Sequence, residues 1–318
     1  MAQSLPNIIA WDYQFAPNAQ KARNYLYATQ TPFKICEQPF VIPRPILQNL
    51  GITYRRVPVL SIGKDVFPDN TTFIDAMQEL LQPQGKGLKR GAFDRAFEQW
   101  GYRSFWIALP CLPAEFITPQ LAKDREELFP VFAREDFGSL QNNGRSEFRA
   151  FLESAENDFL NNEGPCIGGG QEPALADIHA IWMIKWWIQT IGLSEDVGHG
   201  RKELPRIHRW IESLPKQADA QEDDMLFSAE EATKQILGDK YALPDIGVDT
   251  SDVLGLQAND AVVVEAGDAK PGNCPQHGKL VGLNKVKFVI ELENGLRVHF
   301  PKVGYFIKKA GGQSNGHS

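Results

Sequence analysis

The sequence is poor in cysteine and has no excess of positive charge. Four cysteines among 318 residues form no CxxC pair, so we interpret them as free thiols of a reducing compartment, outside any disulfide framework. The 33 basic residues are outnumbered by 40 acidic ones, for a net charge of -7. This balance argues against nucleic acid as a partner, because phosphate backbones select basic surfaces.

Membrane and metal signals are also weak. Residues 174–193 form the most apolar stretch, but Asp177, His179 and Lys185 within it would be costly in hydrocarbon. We therefore expect a buried helix there and no membrane partner. No secretory signal is apparent at the N-terminus, so the expected location is the cytoplasm. Cys274 and His277 lack a second ligand pair, and no metal site is expected.

The first part of the chain predicts an alternating α/β domain over residues 1–84. Residues 7–13 and 34–40 are typical of strands, with a helix beginning at Pro17 between them. Residues 54–62 predict a third strand, interrupted by a proline that a central strand would not tolerate. A short fourth strand and a capped helix follow. The order is therefore βαβ, then ββα.

Two further regions differ in periodicity from the first. Residues 90–240 predict an all-helical domain, with a core-facing stripe of aromatic and aliphatic side chains near residues 148–159. Residues 250–310 predict about five short strands, enough for a small barrel, and Asn294-Gly295 predicts a two-residue hairpin loop of type I′. Residues 311–318 predict a flexible tail.

Particular motifs resemble those of glutathione S-transferases. They are Ala16-Pro17-Asn18-Ala19-Gln20-Lys21-Ala22-Arg23, Val57-Pro58-Val59-Leu60, Asp69-Asn70, Pro173-Ala174-Leu175-Ala176-Asp177-Ile178 and Leu204-Pro205-x-Ile207-x-x-Trp210-Ile211. The resemblance covers residues 7 to about 240. It implies an α/β plus all-α protein, with a thioredoxin-like N-terminal domain and a transferase-type helical domain, to which the strand pattern adds a small C-terminal β-barrel-like domain. The segments around Arg44 and Arg56, with that β-domain, look most like fungal members.

The resemblance also implies a cofactor and the residues that hold it. The cofactor is glutathione, with Pro58 in a cis peptide bond, Val57 offering its backbone, and the helix start at Asp69-Asn70 holding the γ-glutamyl group. The full set of expected cofactor-binding residues is Arg44, Arg56, Val57, Pro58, Asp69 and Asn70.

Catalysis in this family requires a group that stabilises the cofactor thiolate. Ala16 stands where Ser-type and Cys-type members carry that group, and it cannot donate a hydrogen bond. Tyr13, at the end of the first strand, is one candidate, and Asn18, near the helix N-terminus, is the other. An apolar second-substrate pocket is expected to involve Phe15, Phe97, Trp100, Arg103 and Trp106.

The predicted function is a glutathione S-transferase-like enzyme acting on a hydrophobic small molecule by conjugation, isomerisation or elimination. A polyketide-type natural product of fungal secondary metabolism is one candidate substrate. Two alternatives stay open: an enzyme on the same fold that works by general acid–base catalysis without glutathione, and a non-catalytic ligand-binding or scaffold protein. The resemblance also leaves a homodimer open.

Overall fold

The computed structural model describes residues 5–160, 163–215 and 225–311. They divide into two compact units. The first, here called the sheet unit, comprises the described residues of Met1–Ala16, Pro32–Leu80 and Glu222–Ser318. The second, the helical unit, comprises those of Pro17–Thr31 and Leu81–Gln221.

Helices and strands alternate in the first part of the chain, helices fill its middle, and five strands follow one another at its end. The described helices are α1 Pro17–Ala28, α2 Pro45–Asn49, α3 Asn70–Leu81, α4 Asp94–Ala108, α5 Pro119–Arg125, α6 Gln141–Ser154, α7 Leu175–Lys185, α8 Pro205–Ser213 and α9 Ala229–Gly238. The described strands are β1 Ile8–Asp12, β2 Lys34–Glu37, β3 Val59–Ile62, β4 Asp65–Phe67, β5 Ala261–Ala266, β6 Gln276–Leu283, β7 Lys287–Glu291, β8 Arg297–Pro301 and β9 Tyr305–Lys309. Single π-helical turns extend α6 and α7.

The sheet unit is built on one sheet with the strand order β2-β1-β3-β4-β8-β7-β6-β5-β9. β1 and β2 are parallel, whereas β3 is antiparallel to β1 and to β4. This is the predicted βαβ-ββα pattern. The third strand is shorter than predicted, because it begins only at Val59, after the proline that cannot donate to a ladder.

The C-terminal strands continue this sheet, which the sequence did not indicate. β4 pairs in parallel with β8 through Asp65 and Val66. One core runs through both parts, and its members include Trp11, Val59 and Phe288. Among the described residues the strand order from β8 to β9 is open, so the barrel-like closure expected for residues 250–310 is not observed.

A buried carboxylate fixes the junction between the two halves of the sheet. Asp65 accepts hydrogen bonds from the backbone N–H groups of Ala242 at 2.7 Å and Leu243 at 3.0 Å. Its other oxygen lies 2.7 Å from Nε2 of His299 on β8. The His299 ring also stacks on Phe67, with ring centroids 4.8 Å apart. Side chains and backbone from both ends of the chain therefore converge on one residue of β4.

The hairpin between β7 and β8 differs from its prediction. Glu291 pairs with Arg297, and the backbone N–H of Leu292 donates to the carbonyl of Leu296 at 2.8 Å, which leaves a three-residue loop. Gly295 alone in this loop has a positive φ, of 80°. A type I′ turn requires a positive φ at both central residues. The loop is therefore the three-residue kind that ends in a left-handed glycine, and the predicted type I′ turn is wrong.

The helical unit packs around α7, whose residues are almost all buried. α4 crosses α7 closely at Gly101, where an added Cβ would lie 2.0 Å from the carbonyl oxygen of His179. Only glycine permits this approach. The predicted stripe on α6 is largely confirmed, since Phe148, Leu152 and Ala155 are fully buried. No described helix is long and apolar enough to cross a membrane.

The two units do not coincide with the predicted domain boundaries. Helix α9 was expected in the helical domain of residues 90–240, but it belongs to the sheet unit, where Phe227 donates to the carbonyl of Ile35 at 2.8 Å. The strands expected as a separate domain over residues 250–310 belong to the same unit. Residues 312–318 of the predicted tail lie outside the described residues.

Candidate functional site

Several predicted residues of the sheet unit meet at one edge of the sheet. In the β1–β3 ladder Trp11 is opposite Val59, so the end of β1 that leads to Tyr13 lies beside the start of β3, which Val57 and Pro58 precede. In the β3–β4 ladder Leu60 is opposite Phe67, so the end of β4 that leads to Asp69 and Asn70 lies at the same end of the sheet. The peptide bond between Val57 and Pro58 is cis, as the resemblance implied.

Helix α3 begins at this edge with a carboxylate cap. Oδ1 of Asp69 accepts hydrogen bonds from the backbone N–H groups of Thr71 at 2.8 Å and Thr72 at 3.2 Å. The hydroxyl of Thr72 donates to the Asp69 carbonyl at 3.0 Å. α3 has 12 residues, so its N-terminus presents a dipole suited to an anionic group. Asp69 therefore orders the helix start.

Arg44 has structural contacts. Its Nε donates to the carbonyl of Pro39 at 3.1 Å, and its guanidinium also donates to the carbonyls of Phe40 and Arg55. The side chain is buried. These bonds fasten the segment after β2 to the residues that precede Val57. The predicted contact of Arg44 with a cofactor stays a prediction.

Arg56 is engaged by a residue that sequence analysis missed. Nη1 and Nη2 of Arg56 contact Oδ2 and Oδ1 of Asp268, at 3.0 and 2.8 Å, which is a bidentate pair. Asp268 lies in the loop between β5 and β6. No local sequence pattern could predict this contact, because the two residues are 212 positions apart.

Two tyrosines form a second link at the same place. The hydroxyl oxygens of Tyr54 and Tyr305 are 3.0 Å apart. Burial raises the pKa of Tyr54 to about 12, although Arg56 opposes the shift, and burial raises the pKa of Tyr305 well above its usual value. The Asp69 carboxylate adds to both shifts. Both phenols therefore remain protonated hydrogen-bond donors at neutral pH, close to the start of α3.

The segment before Val57 is held at a third point. The backbone N–H of Thr53 donates to Oε1 of Gln276 at 2.9 Å, and the Thr53 hydroxyl donates to the carbonyl of Pro275 at 2.6 Å. Nε2 of Gln276 donates in turn to the carbonyl of Gly51 at 2.9 Å. Contacts with the C-terminal strands and the loop between β5 and β6 thus hold residues 51–56 in place. The expected cofactor site is bordered by residues that a thioredoxin-like domain alone would not supply.

Tyr13 and its neighbours form the turn that follows β1. The backbone N–H of Ala16 donates to the Tyr13 carbonyl at 2.9 Å. The Tyr13 ring packs edge-on against Phe40, with centroids 5.0 Å apart, and is partly buried. Phe15 is partly buried in the same turn, whereas Ala16 is buried. Tyr13 thus directly follows Asp12, the last residue of β1.

The remaining predicted residues belong to the helical unit. Asn18 lies in the first turn of α1 and is partly buried. Phe97 and Trp100 on α4 pack against Phe159, each with ring centroids 5.1 Å apart. Trp100 also stacks on Phe151 at 4.3 Å.

Arg103 and Trp106 are separated from that aromatic group. Trp106 packs against Phe129 at 5.7 Å, and Arg103 is exposed. The predicted pocket residues of α4 therefore fall into two aromatic groups. Phe93 precedes this helix and is exposed.

The cysteines make poor nucleophiles. Burial raises the pKa of Cys36 and of Cys166 to about 11, and that of Cys111 to about 12. A thiol with such a pKa holds almost no thiolate near neutral pH. All four cysteines are free, as predicted. A thiol reaction at these three buried positions is therefore disfavoured.

Part of the chain matches a protein family, and nearly all of it is similar to a solved structure. A family model described as "Domain of unknown function (DUF7962)" matches residues 107–222. No curated protein matches the sequence. Among solved structures, a GST-like protein from Pseudomonas syringae is similar over 96% of this chain and 100% of that chain, with 20% identity and a TM-score of 0.66.

The chain has the GST-like fold. The match covers nearly the whole chain, so the likeness is not limited to the thioredoxin-like strands. Two further structures are similar at lower TM-scores. A glutathione transferase homolog from Drosophila mojavensis with bound glutathione has 16% identity, 76% and 100% coverage of the two chains and a TM-score of 0.45. Glutaredoxin 2 from Salmonella typhimurium in complex with glutathione has 15% identity, 65% and 93% coverage and a TM-score of 0.47.

Proposed function

We propose that this GST-like chain is a glutathione-dependent enzyme that acts on a hydrophobic small molecule. The observation that carries the proposal is that the strand ends leading to Tyr13, Val57 and the Asp69-capped start of α3 lie at one end of the sheet. An extended backbone edge beside a helix N-terminus can bind a peptide-like ligand that carries a carboxylate.

The residues present fit glutathione. Val57 precedes β3 by two residues, outside its ladders, and its backbone is proposed to pair with the peptide part of the ligand. The first turn of α3 suits the γ-glutamyl carboxylate, and Asp69 suits its amino group. Bound glutathione supplies a thiol nucleophile, which the buried cysteines of the chain do not. Tyr13 is the proposed donor to the thiolate, with Asn18 as the alternative, since Ala16 has no donor.

The second substrate is proposed to be apolar. The half-buried aromatic side chains of α4, Phe97, Trp100 and Trp106, suit a planar hydrophobic molecule. A polyketide-type natural product of fungal metabolism remains one proposed substrate. A cytoplasmic location and a homodimer likewise remain proposals, motivated by the resemblance.

The substitution Tyr13→Phe tests the catalytic part of this proposal. We expect glutathione to bind within about twofold of its original affinity, measured by calorimetry, because the ring is retained. The pKa of the bound thiol, followed by its ultraviolet absorbance, should rise by about one unit, because a hydrogen bond to the charged form is lost. The rate with an aromatic electrophile near neutral pH should then fall about tenfold.

Tyr241→Phe is the matched control. The Tyr241 hydroxyl donates to the carbonyl of Gly295 at 2.7 Å in the same unit, away from the sheet edge. It should leave both the thiol pKa and the rate unchanged. An unchanged thiol pKa in Tyr13→Phe together with a raised one in Asn18→Ala would transfer the role to Asn18. Absence of binding at millimolar glutathione would overturn the cofactor proposal.

A second candidate function is ligand binding without catalysis. It is favoured by one observation, the buried Ala16 at the position where a hydroxyl or thiol is expected. Under this alternative, glutathione binds but its thiol pKa is the same as in solution. The absorbance titration of the unmodified chain therefore separates the two candidates.

A further inference from the structure

The guanidinium of Arg56 is the cation next to the proposed cofactor edge, and a carboxylate of the chain itself occupies it. Arg56 precedes Val57 directly and is close enough to Tyr54 to oppose the rise in the pKa of that phenol. Asp268 meets its Nη1 and Nη2 atoms at 3.0 and 2.8 Å. Two parallel N–H···O contacts are the arrangement in which arginine recognises any carboxylate, including that of a ligand.

The loop that carries Asp268 is fixed at both ends. The backbone N–H of Gly267 donates to the carbonyl of Gly304 at 2.8 Å. The backbone N–H of Gly272 donates to Oε1 of Glu265 at 2.6 Å. Asp268 therefore faces Arg56 because the C-terminal sheet holds it there.

The pair is also accessible enough to be broken. The side chain of Arg56 is 25% exposed and that of Asp268 is 41% exposed. Ion pairs on a wet surface add little to stability, so a ligand carboxylate can compete for the guanidinium. For the same reason, removal of the Asp268 charge should leave the fold intact.

We propose that Asp268 is a specificity-determining residue of the cofactor site, because its carboxylate competes with ligand carboxylates for Arg56. The inference rests on the proposed function, since it assumes that glutathione binds at this edge. It adds that the C-terminal sheet weakens the binding of thiols that carry a carboxylate near Arg56. Thiols in which that carboxylate is masked escape the competition.

The experiment compares glutathione with its diethyl ester, in which both carboxylates are masked, by calorimetry on the full chain. In Asp268→Asn, which keeps the size of the side chain, the affinity for glutathione should rise about three- to tenfold. The affinity of Asp268→Asn for the diester should stay within twofold of the affinity that the unmodified chain has for it. Arg56→Gln should bind glutathione more weakly than the unmodified chain. Adding Asp268→Asn to Arg56→Gln should change nothing further, because Asp268 acts through Arg56.

Asp260→Asn is the control, since it removes a charge that contacts Lys309 at 3.0 Å in the same unit, without a role in the site. It should leave both affinities unchanged. Thermal unfolding checks the fold of each variant, and Asp268→Ala replaces Asp268→Asn if the latter does not fold. An unchanged or lower glutathione affinity in the Asp268 variant overturns this inference alone. Absence of glutathione binding in every variant, the unmodified chain included, overturns the proposed function and the inference with it.

Discussion

At the scale of single residues, the helical unit contains a charged group that is almost fully buried. Oε1 of Glu98 on α4 is 2.9 Å from the ammonium of Lys21, and Oε2 is 2.7 Å from the guanidinium of Arg95. Nδ1 of His179 on α7 lies 3.6 Å from the same carboxylate. The Glu98 carboxylate thus already has two cationic partners. His179, buried beside them, need not be protonated to balance its charge.

His179 should make the protein less stable in acid. Burial, aided by Lys21, lowers the pKa of His179 to about 3, although Glu98 opposes the shift. The folded protein keeps this ring neutral, whereas the unfolded chain protonates it below about pH 6.5. The unfolded state then binds more protons, so stability falls as the pH drops from 6.5 towards 3. The loss at pH 5 is about 2 kcal/mol in the free energy of unfolding.

His179→Gln tests this by urea unfolding at pH 7 and pH 5. The variant should lose less stability between these two values than the unmodified chain, whatever its stability at pH 7. His277→Gln, at an exposed position, should keep the original difference. An equal loss in all three proteins would show that other groups cause the acid sensitivity.

At the scale of secondary structure elements, α7 begins with half of a cap, which Asp177 supplies. Asp177 accepts from the backbone N–H groups of Ile167 and Ala174 and from Nε1 of Trp210, each at 2.8 Å. Burial raises its pKa in spite of these three donors. The other half of the cap is missing, because Ala174 has no side-chain oxygen with which to accept from the first turn.

Ala174→Ser should therefore stabilise the protein. Ala174 has the extended backbone of an N-cap residue, with φ of -102° and ψ of -179°, and is only partly buried. A serine hydroxyl there can accept from the first turn, which should raise the free energy of unfolding by about 1 kcal/mol. Ala176→Ser, inside the same helix, should lower it by about 0.5 kcal/mol. A lower melting temperature for Ala174→Ser than for Ala176→Ser would contradict the cap.

Local sequence patterns predicted most of the helices and strands and part of the candidate site. The cap at Asp69 and the start of α1 at Pro17 depend on neighbours within a few residues, and the structure has them where the sequence indicated. The partners Asp268 and Tyr305 had no such signal. They reach Arg56 and Tyr54 only because the sheet brings distant strands together, and strand pairing is not encoded in any short window.

At the scale of the whole molecule, the C-terminal strands extend the sheet that β1 to β4 begin and do not form a separate domain. The alternation in residues 286–300 predicted strands correctly, but the same alternation suits a separate barrel and an extension of an existing sheet equally well. The choice depends on the outer edge of β4. That edge is used twice, by the β4–β8 ladder and by the N–H of Arg297, which donates to the carbonyl of Lys64 at 3.0 Å. An open sheet edge is thereby covered.

A chain that ends at residue 240 should consequently fail to fold its N-terminal strands. It would expose the core positions Val59 and Val66 and leave the buried Asp65 without its partners at Ala242, Leu243 and His299. We expect no cooperative thermal transition of the sheet unit in residues 1–240, followed by hydrogen exchange of the backbone amides of β1 and β3 at increasing temperature. Adding residues 241–318 as a separate peptide should restore the transition, because the missing strands can pair with β4 in trans. A peptide that carries His299→Ala and Phe300→Ala should not restore the transition. If residues 1–240 alone show the melting temperature of the full chain, the C-terminal strands form an independent domain after all.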